Sequence, residues 1–267
     1  DGKLIAYLIG ELVVQTWGRS GYVYLPGYGL AQGESPQVLQ DLYGLLGDTW
    51  VKKGIFNHAV YVSAADAGIN SAFFDLGFGK ERVDALLDLG ALNFPEYTAP
   101  AGMQIRQAGP GDNELIGSLS GVIMRALASA PYWHPTIPED YEELREGWSE
   151  LADDQEWTIW LALEDNKALG AIGFRPEPEE DTQMLASPAT VYLSVAATLP
   201  EARGRGINTA LTWHGLRQAQ KAGLVTCYTN WISPNLLAAR FWPRFGFTDA
   251  AYRLSKKVDP MIAWTRD

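Results

Sequence analysis

The chain has 267 residues and a net charge of −11, from 32 Asp and Glu against 21 Lys and Arg, which argues against a non-specific nucleic-acid binder and leaves at most a bias toward cationic substrates. That length allows one or two domains with an ample core, and no apolar run approaches the ~20 residues of a membrane span, so a soluble, cytoplasmic protein without a membrane partner is expected. The single cysteine, Cys227, rules out an intramolecular disulfide and a cysteine-built cluster, and three separated histidines offer no ligand spacing, so no metal is expected.

Residue 1 is Asp rather than Met, so the native start, and a leader removed from it, stay open. Gly2–Val14 reads as an apolar strand and Gly21–Leu25 as another, with a turn at Pro26-Gly27-Tyr28-Gly29. Ser35–Trp50 has helical spacing, with Val38, Leu42, Leu45 and Leu46 on one stripe. His58–Ser63 alternates like a strand, and Asp66–Leu76 suits a short helix. Asn93–Gly102 has two prolines and little periodicity, and reads as a linker. Met103–Ala108 is a short strand. A helix follows from Pro110-Gly111-Asp112, with Asp112 as N-cap and Leu115, Leu119, Val122 and Ile123 on one face. Ser129–Pro138 is an aromatic, proline-rich loop, and Glu139–Leu151 is an acidic helix with a solvated face. Trp157–Leu163 and Ala168–Phe174 form a hairpin around Glu164–Lys167, and Arg175–Pro188 is an exposed acidic loop.

The most informative stretch comes next. Val191–Thr198 is β-branched, aromatic and small, hence a strand, while Ala210–Ala222 is rich in helix formers and closed by Gly223. Between them lies Arg203-Gly204-Arg205-Gly206-Ile207-Asn208-Thr209. The first turn of a helix has backbone N–H groups without partners, and the helix dipole favours an anion there. Gly204 and Gly206 leave the backbone bare and Arg203 and Arg205 add charge, so a pyrophosphate is the natural ligand; the competing reading is a tight turn with solvated arginines. There is no Gly-Lys-Ser/Thr end for a P-loop, and Thr209 breaks the last position of G-x-G-x-x-G. Val225–Asn230 is the following strand, and Phe247–Val258 supplies the last strands. His214 shares a stripe with Ile207, Ala210 and Leu211 and reads as structural; Cys227 reads as inert core, and His58 is assigned no chemistry.

Arg203-x-x-Gly206-x-Asn208 resembles the Q/R-x-x-G-x-G/A acetyl-CoA loop of the GNAT N-acetyltransferases, with Asn208 where Gly or Ala is usual. Asn235-x-x-Ala238-x-x-Phe241-Trp242-x-x-x-Gly246-Phe247 resembles their N-x-x-A-x-x-F-Y-x-x-x-G-F signature. The resemblance covers about 103 to 258 and implies an α/β (α+β) GNAT fold, a mixed central sheet flanked by helices. Two internal similarities, Lys3–Gly10 to Lys167–Phe174 and Ala72–Phe78 to Phe241–Phe247, imply two GNAT-like halves, unless they are coincidences between short β/α patterns. Residues 1–95 then form a partial, degenerate GNAT-like domain that begins at the third strand, 96–102 a linker, and 103–267 a complete acetyltransferase domain.

The resemblance implies acetyl-CoA (coenzyme A) as co-substrate, held by Thr198, Leu199, Arg203, Gly204, Arg205, Gly206, Ile207, Asn208, Thr209, Asn235 and Trp242. It implies direct attack of an amine on the thioester, with the oxyanion bound by a backbone N–H near Ala197–Leu199. In the family the segment between the first two helices borders the acceptor site, so Tyr132, Trp133 and His134 are candidate substrate contacts. Tyr192 and Ser194 join them, on the strand where some relatives carry a glutamate. Trp242 stands where the family often has a tyrosine acid. An indole N–H cannot protonate a thiolate, so Tyr252 and then Tyr228 are the candidate catalytic acids. The expected function is N-acetylation of a primary amine of a small molecule; the alternative is an acetyl-CoA sensor or pseudoenzyme. The acceptor's identity, the general base and the oligomeric state are not legible in the sequence.

Overall fold

The computed structural model describes residues 2–15, 18–96, 100–135, 137–177 and 184–265. Along them run β1 (Ala6–Leu8), β2 (Glu11–Gln15), β3 (Gly18–Val23), β4 (Tyr28–Leu30), α1 (Gln37–Lys52), β5 (Asn57–Ser63), α2 (Ala67–Asp75), β6 (Gly79–Asp88), β7 (Gln104–Gln107), α3 (Asn113–Gly117), α4 (Ser120–Ala128), α5 (Pro138–Glu150), β8 (Thr158–Glu164), β9 (Lys167–Pro176), β10 (Thr190–Thr198), α6 (Ile207–Lys221), β11 (Thr226–Ile232), α7 (Leu236–Phe241) and β12 (Thr248–Lys257).

β1 and β4 make a small sheet of their own, and the other ten strands make one mixed sheet in the order β2-β3-β5-β12-β6-β11-β10-β9-β8-β7. Two series run through it in the same chain order, β2-β3-α1-β5-α2-β6 and β9-β10-α6-β11-α7-β12. In each series the second and third strands are parallel, β3 with β5 and β10 with β11. The second helix of each starts from a side-chain cap three residues back: Asp66 accepts from the Ile69 N–H at 2.9 Å, and Asn235 Oδ1 from the Ala238 N–H at 3.3 Å. The two series are interleaved. β6 lies between β11 and β12, antiparallel to both, and β12 lies between β5 and β6. The last strand of each series is thus inserted into the other.

The cores follow the same exchange. Under α6, Ile207, Leu211 and Leu216 pack with Ile172, Phe174 and Leu193, and Val83, Ala85 and Leu87 of β6 join them. Under α1 and α2, Leu39, Tyr43, Trp50 and Phe73 pack with Val60 and Val62, and Leu254 of β12 joins them. A third cluster, Ile116, Leu119 and Val122 against Ile159, Leu161 and Leu163, seats α3 and α4 on β8. Each fully buried Val, Leu, Ile or Phe among them contributes about 1.5–3 kcal/mol.

Several expectations shift. The apolar Gly2–Val14 stretch is broken at Ile9-Gly10, and β1 pairs with β4 in the segment expected to be a turn. The place of β9 in the first series is therefore held by β2, so Lys3–Gly10 is not the counterpart of Lys167–Phe174. On α1 the buried face is Leu39, Tyr43, Gly47 and Trp50, and Leu45 is 72% exposed, because two aromatic residues outweigh the leucines of the neighbouring stripe. Asp112 makes no side-chain cap; Arg106 holds its carboxylate with two bonds of 2.7 Å, and the Gly109 N–H donates to it at 2.9 Å. Residues 97–99 of the linker and 178–183 of the acidic loop lie outside the described residues. Among those described, no helix is long and apolar enough to cross a membrane, and no group of three His, Cys, Asp or Glu could hold a metal ion.

Candidate functional site

The site is built where β10 and β11 part. They pair in parallel from Thr190↔Thr226 to Leu193↔Thr229, and the register of β10 on β9 shifts between Leu193 and Val195. β10 then leads through the single turn Pro200–Ala202 to Arg203-Gly204-Arg205-Gly206. Gly204 and Gly206 have φ of +78° and +79°, the left-handed region that glycine enters without a Cβ clash. A Cβ at Gly204 would meet nothing within 4 Å, so the backbone there is open to a ligand. The first helical hydrogen bond of α6 runs from the Ala210 N–H to Gly206 O at 3.0 Å, so the N–H groups of Ile207, Asn208 and Thr209 have no partner within the helix.

A cavity of about 470 Å³ opens at this helix start. β10 lines it with Ala196, Ala197 and Thr198, the glycine turn with Arg203 and Gly204, α4 with Val122, Ile123 and Ala126, and the α7 region with Asn235, Leu237, Ala238, Phe241, Trp242 and Arg244. Two buried polar atoms, Thr198 Oγ1 and Asn208 Oδ1, have no hydrogen-bond partner among the described residues. Buried polar groups are seldom left so, and both residues line the cavity.

Of the cofactor candidates, Thr198, Arg203, Gly204, Gly206, Ile207, Asn208, Thr209, Asn235 and Trp242 line the cavity, and Leu199 and Arg205 do not. The Leu199 N–H donates to Leu169 O at 2.9 Å, so it is not available to an oxyanion. The Arg205 guanidinium lies on Glu164, at 2.5 and 3.1 Å, and these bonds hold the carboxyl below its usual range. Sequence alone does not bring α4 to the site; its signal there is the apolar pair Val122-Ile123.

Neither candidate acid lines the cavity. The Tyr252 hydroxyl donates to Asp249 at 2.9 Å, and burial, then Asp249, push it up to about 12. Tyr228 is 2% exposed and donates to Asp84; burial, then the Asp84 charge, push it well above the usual phenol range. Both phenols are therefore committed to carboxylates. Trp242 is 6% exposed and packs among Phe241, Phe245 and Phe247, and Pro243 behind it ends α7 in a tighter turn.

Tyr192 and Ser194 are half-buried on β10. The Tyr192 ring lies 5.0 Å from that of Tyr228, with the Arg175 guanidinium 5.2 Å from its centre. Cys227 and Trp231 belong to the core under α6, so Tyr228 and Asn230, alternating with them, occupy the opposite face of β11. Tyr132 stacks on His134 at 5.2 Å; its phenol is raised by burial and by Glu81 and lowered by Arg253, which sets it in the field of the Glu81–Arg253 pair. Trp133 is 69% exposed, so the loop brings Tyr132 rather than Trp133 toward the sheet. His58 bridges the Tyr43 hydroxyl at 2.7 Å and Ile55 O at 3.0 Å, and His214 sits edge-on to Trp160 at 4.3 Å. Cys227 is fully buried, and burial raises its thiol.

Comparison with known proteins agrees with this geometry. The chain is 29% identical over 202 residues to a mycothiol acetyltransferase from Rhodococcus erythropolis, covering 70% of this chain and 62% of the relative. It is 26% identical over 185 residues to one from Saccharomonospora viridis, covering 66% and 58%. The match thus spans less than two thirds of the length of both relatives. Among solved structures, a GCN5-related N-acetyltransferase from Sphaerobacter thermophilus superposes with a TM-score of 0.58 at 17% identity, covering 96% of this chain and 78% of that one. A tandem GNAT protein from the clavulanic acid biosynthesis pathway gives 0.54 at 14%, covering 93% and 79%; both show a shared fold. The profile of the acetyltransferase (GNAT) family matches residues 112–247, half of the chain, and contains both the glycine turn and the Asn235–Phe247 signature: the chain belongs to that family.

Proposed function

We propose that the chain is an acetyl-CoA-dependent N-acetyltransferase that moves an acetyl group to a primary amine of a small molecule by direct attack. What carries the reading is the cavity at the start of α6, with its left-handed glycines, Arg203 and two unpartnered buried polar atoms. In this reading Arg203 and the first-turn N–H groups of Ile207–Thr209 bind the pyrophosphate. Thr198 Oγ1 and Asn208 Oδ1 take polar groups of the pantetheine arm. Backbone N–H groups of β10 beyond Leu193, where it leaves β11, polarise the thioester carbonyl. Trp242 walls the cavity and donates no proton; thiolate departure without an acid is tolerable because a free thiol has a pKa of ~8.5. Residues 1–95 act as a partial repeat that binds no second cofactor and lends β6 to the acceptor side of the sheet. The buried lone thiol suits a reducing cytoplasm.

The relatives' name makes a mycothiol-related amine the first acceptor to test. A second reading, a coenzyme A sensor without transfer, is favoured by one observation: among the described residues no tyrosine lines the cavity. The test joins calorimetric titration of coenzyme A with thiol release from acetyl-CoA over a panel of primary amines. Binding with amine-dependent release supports the transferase. Binding without release for any amine supports the sensor, and absence of binding overturns both.

A further inference from the structure

A chain of hydrogen bonds crosses from β6 to β10, and its direction is fixed. Asp84 is 1% exposed and is held by the Arg82 guanidinium, Nη2 at 2.6 Å and Nε at 3.2 Å. A carboxylate so paired only accepts. The Tyr228 hydroxyl therefore commits its one hydrogen to Asp84, and its oxygen accepts from Arg82 Nη2 and from Asn230 Nδ2, each at 3.3 Å. Asn230 Nδ2 gives its other hydrogen to Tyr192 Oη at 2.8 Å. Reversing the amide would set its oxygen against a Tyr228 oxygen that has no hydrogen left to give, so the Tyr228 contact favours the form with Nδ2 toward both tyrosines. Asn230 Oδ1 is thus turned away from both tyrosines, and no described residue donates to it. Asn230 is half-buried and is the first residue of β11 beyond its last pair with β10. It stands where the strands separate and β10 runs on to the cavity.

We propose that Asn230 Oδ1 receives an N–H of the acceptor amine, and that Asp84 is the positioning residue that holds it in that orientation. The identity of the ligand as an amine rests on the transferase reading above. Asn230 takes no proton. It accepts a hydrogen bond while the amine nitrogen attacks the thioester carbon; the C–S bond breaks with its electron pair on sulfur, and the surplus proton of the attacking nitrogen passes to water. The essential carboxylate thus comes from β6, 144 residues before Tyr228, in the series without the basic glycine turn.

Two measurements test this. In nitrogen-15 spectra of the full chain, the Asn230 side-chain amide, identified by its loss in Asn230→Ala, exchanges its hydrogens slowly. It shifts saturably when ethylammonium is titrated into the coenzyme A-loaded protein, and Asp84→Asn and Tyr228→Phe restore fast exchange. Fast exchange in the parent, no shift with ethylammonium, or no effect of Asp84→Asn overturns the proposal. With the best amine of the panel, Asn230→Ala and Tyr228→Phe lower kcat/KM for the amine by about tenfold or more, the value of one hydrogen bond to a charged group, at unchanged coenzyme A affinity. An unchanged kcat/KM, or a parallel loss of coenzyme A affinity, overturns it. Should no amine be turned over, the transferase reading falls, while the ethylammonium titration still decides for or against Asn230. Asp84→Asn strips the buried Arg82 of its partner, so Tyr228→Phe, which leaves that ion pair intact, is the variant that guards against a simple folding failure.

Discussion

The double variant Arg203→Ala, Gly206→Asp is the sharpest probe of the cavity. Arg203 would lose a charge-assisted hydrogen bond to a phosphate, worth about 1.5–3 kcal/mol. Gly206 has φ +79° at the helix start, so an aspartate there sets a carboxylate beside the bound anion. At ~5 Å and an effective dielectric of ~20 that repulsion is about 3 kcal/mol. The left-handed backbone adds a strain of about 1–2 kcal/mol, which lowers the melting temperature rather than the affinity. Together the two electrostatic losses come to about 4–6 kcal/mol, or about 10³-fold or more in Kd at ~1.4 kcal/mol per decade. Calorimetric titration of coenzyme A, with melting curves to verify folding, reads the effect. Arg205→Ala is the internal control: its guanidinium is already held by Glu164 at 2.5 Å, so Kd is expected to stay within about threefold. A double variant that binds like the parent, or an Arg205→Ala loss equal to that of Arg203→Ala, would refute the reasoning.

Tyr252→Phe removes a hydroxyl bonded to Asp249 outside the cavity, so kcat for thiol release should hold within about twofold; a loss of about 10² or more would make it the missing acid. Gly215→Ala would put a methyl 2.3 Å from Phe174 Cε2, and overpacking of about 1–3 kcal/mol should outweigh the ~1 kcal/mol gained in helix propensity. The melting temperature should therefore fall by a few degrees, and a rise would contradict the packing. Burial lowers His58 and His214 below 6.5, so the unfolded chain takes up protons first as pH drops. Stability contributed by these groups is complete above about pH 6.5 and is lost as pH falls toward the folded-state values. For His58, 2% exposed, the slope is at most about 1.4 kcal/mol per pH unit, and the more open His214 adds less. Urea midpoints that stay level between pH 7 and 5 would show that neither histidine titrates differently on unfolding.

What could be read from sequence was local and chemical. The glycine turn at 203–209 and the start of α6 follow from residue types whose backbone preferences dominate their surroundings, and Asn235 caps α7 as its position in the signature requires. What could not be read depends on partners distant in the chain. β6 carries Lys80, Glu81, Arg82 and Asp84 in its first half, a weak strand signal. Those charges are accommodated because Arg82 meets Asp84 on its own strand and Glu81 meets Arg253 from β12. The stripe on α1 was displaced for a similar reason: Tyr43 and Trp50 find His58 on β5, a contact that no helical spacing announces. The commitment of Tyr228 to Asp84 likewise appears only once β6 and β11 are side by side.

The interleaving of β6 and β12 bears on how the chain comes into being. During synthesis β5 and β6 emerge early, but the strand that belongs between them, β12, begins at residue 248, long after β6 ends at residue 88. Until residue 257 is available the early segment has an unfilled gap in its sheet, and Leu254 is absent from the core under α1 and α2. Such long-range pairing slows folding, since the loop must close before its contacts form. It also makes nascent chains dependent on protection of exposed strand edges. A nick or truncation anywhere within β12 would undo the early half along with the late one, and neither half could be passed on alone in evolution without first acquiring a replacement for its borrowed strand.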